Sequence, residues 1–167
     1  MTTALVDADT FRRAMASVPT VVTVVTMVGA DGVARGMTVG SFTSLSLNPP
    51  LVLACIGDAA SIAPAIQGTT HIGVSVLASD QAELSRRFAD TVARTFEGIA
   101  HHHGPAGMPL LDGAVTHLEA RIVARHRGGD HTIIVAEVSH AVTTDREPLA
   151  HLRRRYGRVV PLGSRGA

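Results

Sequence analysis

The amino-acid sequence predicts a mostly β fold, an antiparallel β-barrel with a few helices. Two short turns carry most of this prediction, because GADG at residues 29–32 and RGGD at 127–130 each connect two β-rich segments directly. The predicted helices only interrupt the succession of strands. A doubly wound parallel sheet would need a crossover helix after nearly every strand, so the sequence disfavours that class.

The length of 167 residues is enough for one domain with a sizeable core. We expect a single domain over 1–167, with its core at about 11–160 and short flexible tails. The first segment, MTTALVDADTF, has no basic stretch followed by an apolar one, and the longest apolar runs are too short to cross a bilayer. The sequence therefore predicts a cytoplasmic protein that does not bind membranes.

The composition excludes several kinds of chemistry. All fifteen basic residues are arginine, and without lysine the chain cannot form a Schiff base, anchor pyridoxal phosphate or build a P-loop. The single cysteine, Cys55, rules out an intramolecular disulfide and a C-x-x-C pair, and it is interpreted as a small buried hydrophobe. A net charge of +1 and 3% aromatic residues argue against nucleic-acid binding.

Local sequence patterns place the elements in order. Asp9 is expected to cap a first helix over residues 10–18, and SDQAELSRRFA predicts a later helix opened by Asp80 with Glu83 in the capping-box position. A weak short helix is expected at 61–67. The predicted strands cover residues 20–27, 33–38, 51–56, 71–77, 115–126 and 131–142.

Three segments have distinctive sequence patterns. The strand at 51–56 has no polar face, which predicts burial on both sides. In the strand at 115–126 apolar and polar residues alternate, which predicts one buried face and one solvated face. The alternation places His117, Glu119, Arg121 and Arg125 on the solvated face. Residues 90–113 are rich in glycine, proline and histidine and are predicted to form a long loop.

The common catalytic motifs are absent. The glycines of GADGVARG are wrongly spaced for G-x-G-x-x-G, and G-x-S-x-G and H-E-x-x-H do not occur. The run His101, His102 and His103 suggests metal binding, but adjacent residues in an extended chain point to opposite sides. We therefore expect a solvated loop there and no metal site.

The stretch 36–56, GMTVGSFTSLSLNPPLVLACI, has an unusual number of hydroxyl side chains. In one interpretation they only satisfy backbone groups in turns. In the other, a hydroxyl-rich loop between two buried strands offers donors to a phosphate or to a ring system rich in carbonyl acceptors. The clustering favours the second interpretation, an anionic cofactor site.

Two segments of the chain resemble the signatures of the flavin reductase-like family, whose members carry an FMN-binding split barrel with Greek-key-like strand order. The first is GMTVGSFTSLSLNPPLVL, which begins at Gly36, and the second is GDHTIIVAEV, which begins at Gly129. Their order and spacing are also similar to the family's, and the resemblance extends from about Phe11 to Tyr156. It implies a homodimer of barrels, each holding one flavin near the subunit interface.

The resemblance also implies roles for individual residues. Five residues would line the isoalloxazine and the ribityl phosphate, and three more would lie on the phosphate side. The first set is Thr38, Ser41, Ser44, Leu45 and Ser46, and the second is Cys55, Ile56 and Ser61. Phe88 would pack on the cofactor, His131 would face the nicotinamide and the flavin, and Tyr156 would close the site.

The chain departs from the family pattern at two places. Relatives commonly have T-A-N-S where this chain has Thr38, Val39, Gly40 and Ser41, so Val39 and Gly40 occupy cofactor-binding positions without an amide side chain. This loss points towards looser flavin binding. Relatives also have a glycine shortly before the final tyrosine, where this chain has Arg153-Arg154-Arg155.

The implied activity is that of an NAD(P)H:flavin oxidoreductase. It would reduce FMN or FAD with NADH or NADPH and supply reduced flavin to a separate monooxygenase. Such a site needs no catalytic triad, because hydride transfer mainly requires two correctly stacked rings and stabilisation of negative charge. The alternative is a non-catalytic barrel that stores or senses flavin or haem. His131 likewise has an alternative role as a hydrogen-bonded turn residue.

Overall fold

The computed structural model describes residues 4–90 and 96–162, and these residues form three helices and twelve strands. The helices are α1 (Ala8–Met15), α2 (Ala63–Gly68) and α3 (Ala82–Ala89). The first six strands are β1 (Thr20–Val21), β2 (Thr23–Val28), β3 (Ala34–Val39), β4 (Thr43–Ser46), β5 (Leu51–Gly57) and β6 (His71–Val76). The last six are β7 (His101–His103), β8 (Pro109–Leu111), β9 (Thr116–Gly128), β10 (His131–Thr143), β11 (Leu149–Leu152) and β12 (Arg155–Arg158).

The predicted mostly β, antiparallel architecture is confirmed. Seven strands form one sheet in the order β3-β2-β6-β9-β10-β5-β4, and every pairing in it is antiparallel. Smaller sheets with the orders β1-β11-β12 and β7-β8 lie beside it. The predicted turns at 29–32 and 127–130 connect β2 to β3 and β9 to β10.

Ser41 connects the two ends of the large sheet. Its hydroxyl donates to the carbonyl of Cys55 and accepts from the Cys55 backbone N–H, each at 3.0 Å. Because Ser41 follows β3 at one edge and Cys55 lies in β5 near the other, this pair of hydrogen bonds closes the sheet into a barrel.

The apolar side chains form two clusters. One fills the barrel and includes Val25, Met27, Ile56, Ile72 and Ile134. The other lies between α3 and the small sheets and includes Val24, Leu77, Phe88, Leu111 and Leu149. Among the described residues, no helix is long and apolar enough to cross a membrane.

The prediction of a loop over 90–113 is wrong where the chain forms the β7–β8 hairpin, and residues 91–95 lie outside the described residues. The predicted solvated face of β9 is exposed at Arg121, but the hairpin covers it at His117 and Glu119. The imidazole of His117 is buried and its Nε2 lies 2.7 Å from the Leu111 carbonyl. Glu119 is 0% exposed, and its carboxylate accepts from the backbone N–H groups of Ala106 and Met108.

Helix boundaries differ from the prediction because of capping. Asp7, not Asp9, is the N-cap of α1, and its carboxylate accepts from the Asp9 and Thr10 backbone N–H groups. The hydrogen bond from the Thr10 hydroxyl lowers the pKa of Asp7 most, and the two backbone N–H groups add to this effect. The later helix begins only at Ala82, because the carboxylate of Asp80 pairs with Arg146 instead of capping it.

Three strand predictions also need correction. The strand at 20–27 is divided, since Val22 separates β1 from β2 and donates its N–H to the Leu149 carbonyl of β11. β5 is buried on one face only, and Leu51, Leu53 and Cys55 are half-buried on its other face. The hydroxyl-rich stretch, predicted as a loop, contains the short edge strand β4.

Candidate functional site

A cavity of about 260 Å³ opens where β2 begins and β3 ends. Its walls are mainly apolar, its rim carries hydroxyl groups, and parts of α3 and of the C-terminal hairpin complete it. The lining residues are Thr20, Val21, Val22, Thr38, Val39, Gly40, Ser85, Ala89, His151 and Tyr156. Four predicted site residues, Thr38, Val39, Gly40 and Tyr156, are therefore brought together here.

Ser85 holds three elements together at this cavity. Its carbonyl accepts from the Thr38 hydroxyl at 2.7 Å, and its own hydroxyl accepts from the Tyr156 hydroxyl at 2.9 Å. The Tyr156 ring also packs against Arg86, whose guanidinium carbon lies 5.2 Å from the ring centroid, and against His151, whose ring centroid is 5.6 Å away. The aromatic wall of the cavity is therefore fixed before any ligand binds.

The hydroxyl groups of the 36–56 stretch divide into two kinds. Those of Thr38 and Ser41 are occupied by backbone groups of α3 and β5. Within the described residues, the hydroxyls of Ser44 and Ser46 make no side-chain hydrogen bond, and Ser44 and Leu45 are exposed on β4. The first interpretation of the stretch therefore applies to Thr38 and Ser41, whereas the hydroxyls of Ser44 and Ser46 remain candidates for binding a ligand.

His131 begins β10 opposite Gly57 of β5. Its Nδ1 lies 2.7 Å from the Asp130 carboxylate, and this hydrogen bond lowers the pKa of Asp130. A Cβ at Gly57 would lie 3.6 Å from the His131 Nε2, so the imidazole packs over bare backbone. The side chain is 47% exposed, which leaves part of the ring accessible to a ligand.

Barrel closure relates His131 to the cavity. Ser41 directly follows the cavity residue Gly40 and hydrogen-bonds Cys55, and Cys55 pairs in register with Ile133 of β10. Ser41 thus links the sheet edge that borders the cavity to β5 and β10, the strand pair that carries His131. The cavity and the His131 end of this strand pair are the candidate site.

Three predicted site residues lie elsewhere. Phe88 and Ile56 are both 0% exposed in the core, so they can support the site only from behind. The Phe88 ring occupies the space where a Cβ of Gly36 would be, at 2.7 Å. Ser61 lines a separate cavity of about 340 Å³ together with Asp31 and Arg35.

Sequence reasoning missed six of the ten residues that line the cavity, and three of the six are polar. Thr20, Ser85 and His151 belong to segments without a motif, and they meet only because β1, α3 and β11 converge. The only sequence feature that could have identified Ser85 as a site residue is its position three residues before Phe88, on the apolar face of the predicted helix. In the structure Ser85 is 0% exposed on that face. Among the described residues, no group of three or more His, Cys, Asp or Glu side chains is arranged to hold a metal ion.

Residues 15–159 match the family described as flavin reductase like domain, which is most of the chain. This chain belongs to the flavin reductase family. The candidate site lies within the matched range, so its residues can be considered as those of a flavin reductase.

Two relatives and one solved structure illustrate the similarity. The FMN reductase (NADH) SmoA of Agrobacterium fabrum is 41% identical, with 91% of this chain and 86% of the relative covered. The reductase component of a 4-nitrophenol 4-monooxygenase/4-nitrocatechol 2-monooxygenase from Rhodococcus opacus is 37% identical, with 93% and 83% covered. The structure of a Streptomyces globisporus NADH:FAD oxidoreductase, in complex with NAD and FAD fragments, matches with a TM-score of 0.88, 40% identity and coverage of 96% and 99%.

The site residues of this flavin reductase fit a flavin chemically. The isoalloxazine is flat and largely apolar with polar edges, and the cavity offers the apolar walls Val21, Val22 and Val39 beside the fixed Tyr156 ring. The free hydroxyl groups on β4 are suited to polar edges or to a phosphate.

Proposed function

We propose that this chain is an NADH:flavin oxidoreductase that reduces FMN or FAD by hydride transfer and supplies the reduced flavin to a partner monooxygenase. Family membership supports the chemistry. The single structural observation that carries it is the connection between the aromatic-walled cavity and His131, through the Ser41 to Cys55 hydrogen bonds. This connection supports a site in which the cavity holds one planar ring and His131 contacts a second.

The bound flavin supplies the hydride acceptor, and the protein supplies position and charge stabilisation. The Tyr156 ring and the apolar walls orient one ring system and exclude water from one of its faces. The hydroxyl groups of Ser44 and Ser46 hold polar edges of the ligand. No side chain has to transfer a proton for the hydride to move.

We assign His131 to the nicotinamide. The Asp130 carboxylate accepts from Nδ1–H, which leaves Nε2 as the ring atom free to accept an N–H of a carboxamide. The partly exposed ring and the bare backbone of Gly57 beneath it leave room for that contact. His131 thereby orients the hydride donor and does not itself react.

The assembly we propose is a homodimer. None of the residues of α1 is buried, although Phe11 and Met15 form an apolar stripe on it and are 56% and 49% exposed. A second copy of the chain covering this stripe explains the amphipathic pattern. The half-buried outer face of β5 gives the same indication.

Oxidation of NADH and NADPH in air, with and without added FMN and FAD, tests the proposal. We expect NADH oxidation that depends on free flavin, with NADPH as the poorer donor. Tight flavin binding without oxidation of either nucleotide would contradict the proposal and favour a flavin-storage or flavin-sensing role.

A further inference from the structure

The turn between β11 and β12 consists of Arg153 and Arg154, and both have positive φ, at 50° and 62°. A two-residue hairpin connection with this backbone favours asparagine and glycine, because a side chain in the left-handed region costs about 1 kcal/mol. Two adjacent arginines are therefore an unfavourable choice for the turn itself. Because both residues are exposed and do not stabilise the turn, their guanidinium groups are candidates for binding a ligand.

The side chains of this turn are free to bind. In the described parts of the chain, those of Arg153, Arg154 and Arg155 make no hydrogen bond or ion pair, and Arg158 has only a 3.5 Å pair with Glu147. The turn is nevertheless held in place, since the backbone N–H of Arg153 donates to the Ala16 carbonyl at 2.7 Å. The arginine turn, residues 153–155, is thus a fixed and uncompensated positive patch.

A groove of about 390 Å³ lies beside the arginine turn. Its lining is mainly apolar and includes three arginines. The lining residues are Pro19, Ala150, Leu152, Arg153, Arg155, Tyr156, Gly157, Arg158 and Val159. Tyr156 also lines the 260 Å³ cavity, so the groove and the cavity share this residue.

We propose that the arginine turn and this groove bind the adenosine 5′-phosphate half of a dinucleotide, the part that FAD and NADH share and that FMN lacks. An apolar floor accommodates the purine, and arginine at its edge recognises phosphate oxygens through paired N–H donors. Because Tyr156 lines both spaces, a dinucleotide with its reactive ring in or beside the cavity can place its adenosine phosphate in the groove. This inference rests on the proposed function, because FAD and NADH are the ligands of that reaction and the groove would hold their adenosine phosphate half.

The sharpest variant is Arg153→Gly. It removes a guanidinium that lines the groove, keeps the backbone N–H bonded to Ala16, and relieves the unfavourable φ. We expect a melting temperature equal to or above that of the wild type, together with roughly tenfold weaker binding of FAD or of NADH. A purely structural turn residue would not combine these two effects. The matched control is Arg121→Gln, which removes one positive charge from β9, where Arg121 pairs with Glu137.

Equilibrium titrations with four ligands decide the source of the adenosine phosphate. If FAD binding weakens and FMN binding does not, the groove holds the flavin dinucleotide. If NADH binding weakens and binding of reduced nicotinamide mononucleotide does not, it holds the nicotinamide dinucleotide. Either result supports the proposal, and the affected ligand should also show the steeper loss of affinity with added salt in the wild type.

Three results would overturn the inference. These are unchanged affinities for all four ligands, an equal loss for FMN and FAD without a loss for NADH, and an equal loss in Arg121→Gln. Failure of the proposed function is distinguishable, because the wild type itself would then oxidise no NADH with either flavin. A wild type that turns over, with an Arg153→Gly variant that binds all four ligands normally, contradicts only the assignment of the groove.

Discussion

At the level of single residues, the hydroxyl groups of one short stretch lie in two different environments. The Ser41 hydroxyl makes two hydrogen bonds to the Cys55 backbone and closes the barrel, whereas those of Ser44 and Ser46 make none within the described structure. The sequence shows a cluster of hydroxyls but not which of them the fold occupies. That distinction depends on β3 and β5 meeting, which is a long-range contact.

Ser41→Ala and the double variant Ser44→Ala/Ser46→Ala should therefore behave differently. Ser41→Ala should lower the free energy of unfolding by about 2 kcal/mol, since two hydrogen bonds of about 1 kcal/mol each are lost. The double variant should unfold like the wild type but bind flavin more weakly, by a few kcal/mol at most. Chemical denaturation and a flavin titration measure the two effects. Unchanged flavin affinity in the double variant would show that these hydroxyls bind no ligand.

His131→Ala should keep the fold and most of the flavin affinity while slowing reduction by NADH. Loss of one orienting contact should lower kcat/KM by tenfold to a thousandfold, or about 1.4 to 4 kcal/mol of transition-state stabilisation. Steady-state kinetics at matched flavin saturation gives the value. A kcat/KM within twofold of the wild type would identify His131 as a turn residue only.

At the scale of elements, the β7–β8 hairpin shows why local patterns fail. The alternation in β9 correctly places Ala120 and Ile122 inside, but it assumes solvent on the other face. The hairpin covers that face, so Glu119 is buried and its carboxylate accepts backbone N–H groups from the connection between β7 and β8. A Cβ at Gly104 would lie 2.4 Å from this carboxylate, which explains the glycine there. Motif-bearing strands were predictable, but a covering hairpin without regular periodicity was not.

Glu119→Gln should destabilise the protein. The amide can present only one oxygen to the two N–H donors, and its NH₂ group would face them as a further donor. We expect a loss of about 3 kcal/mol in the free energy of unfolding. Denaturant titration measures it, and Glu137→Gln on the exposed pair with Arg121 is the control, with an expected change below about 1 kcal/mol. Equal effects of the two substitutions would contradict the role of Glu119.

In the molecule as a whole, the hydrogen bonds that close the barrel lie directly beside the cavity, because Ser41 follows the cavity residue Gly40. Most of the architecture was predictable from two turns and two family-like segments, whereas the cavity was only half predictable. Thr38 and Tyr156 lie in segments that resemble the family, but Ser85 becomes a site residue only through the docking of α3 between them. The proposed homodimer also involves the whole molecule, because the exposed apolar stripe of α1 can be buried only against a second chain.

Phe11→Glu should shift the proposed homodimer towards monomer. The substitution places a charge in the apolar stripe of α1, where burial against a partner would be costly. Sedimentation at micromolar protein concentration should show a wild-type dimer and a largely monomeric variant, with Arg13→Glu on the opposite face remaining dimeric. A wild type that sediments as a stable, flavin-competent monomer would contradict the proposed assembly.

We expect this chain to transfer a hydride from NADH to flavin at the site beside the Ser41 closure of the barrel. Anaerobic mixing of NADH with the flavin-loaded protein, followed by the loss of oxidised-flavin absorbance in a stopped-flow instrument, measures this step without oxygen or a partner. We predict that flavin bleaches in a single turnover, much faster than free flavin mixed with NADH, and that the rate falls at least tenfold in His131→Ala. Bleaching no faster than the protein-free reaction would contradict the claim.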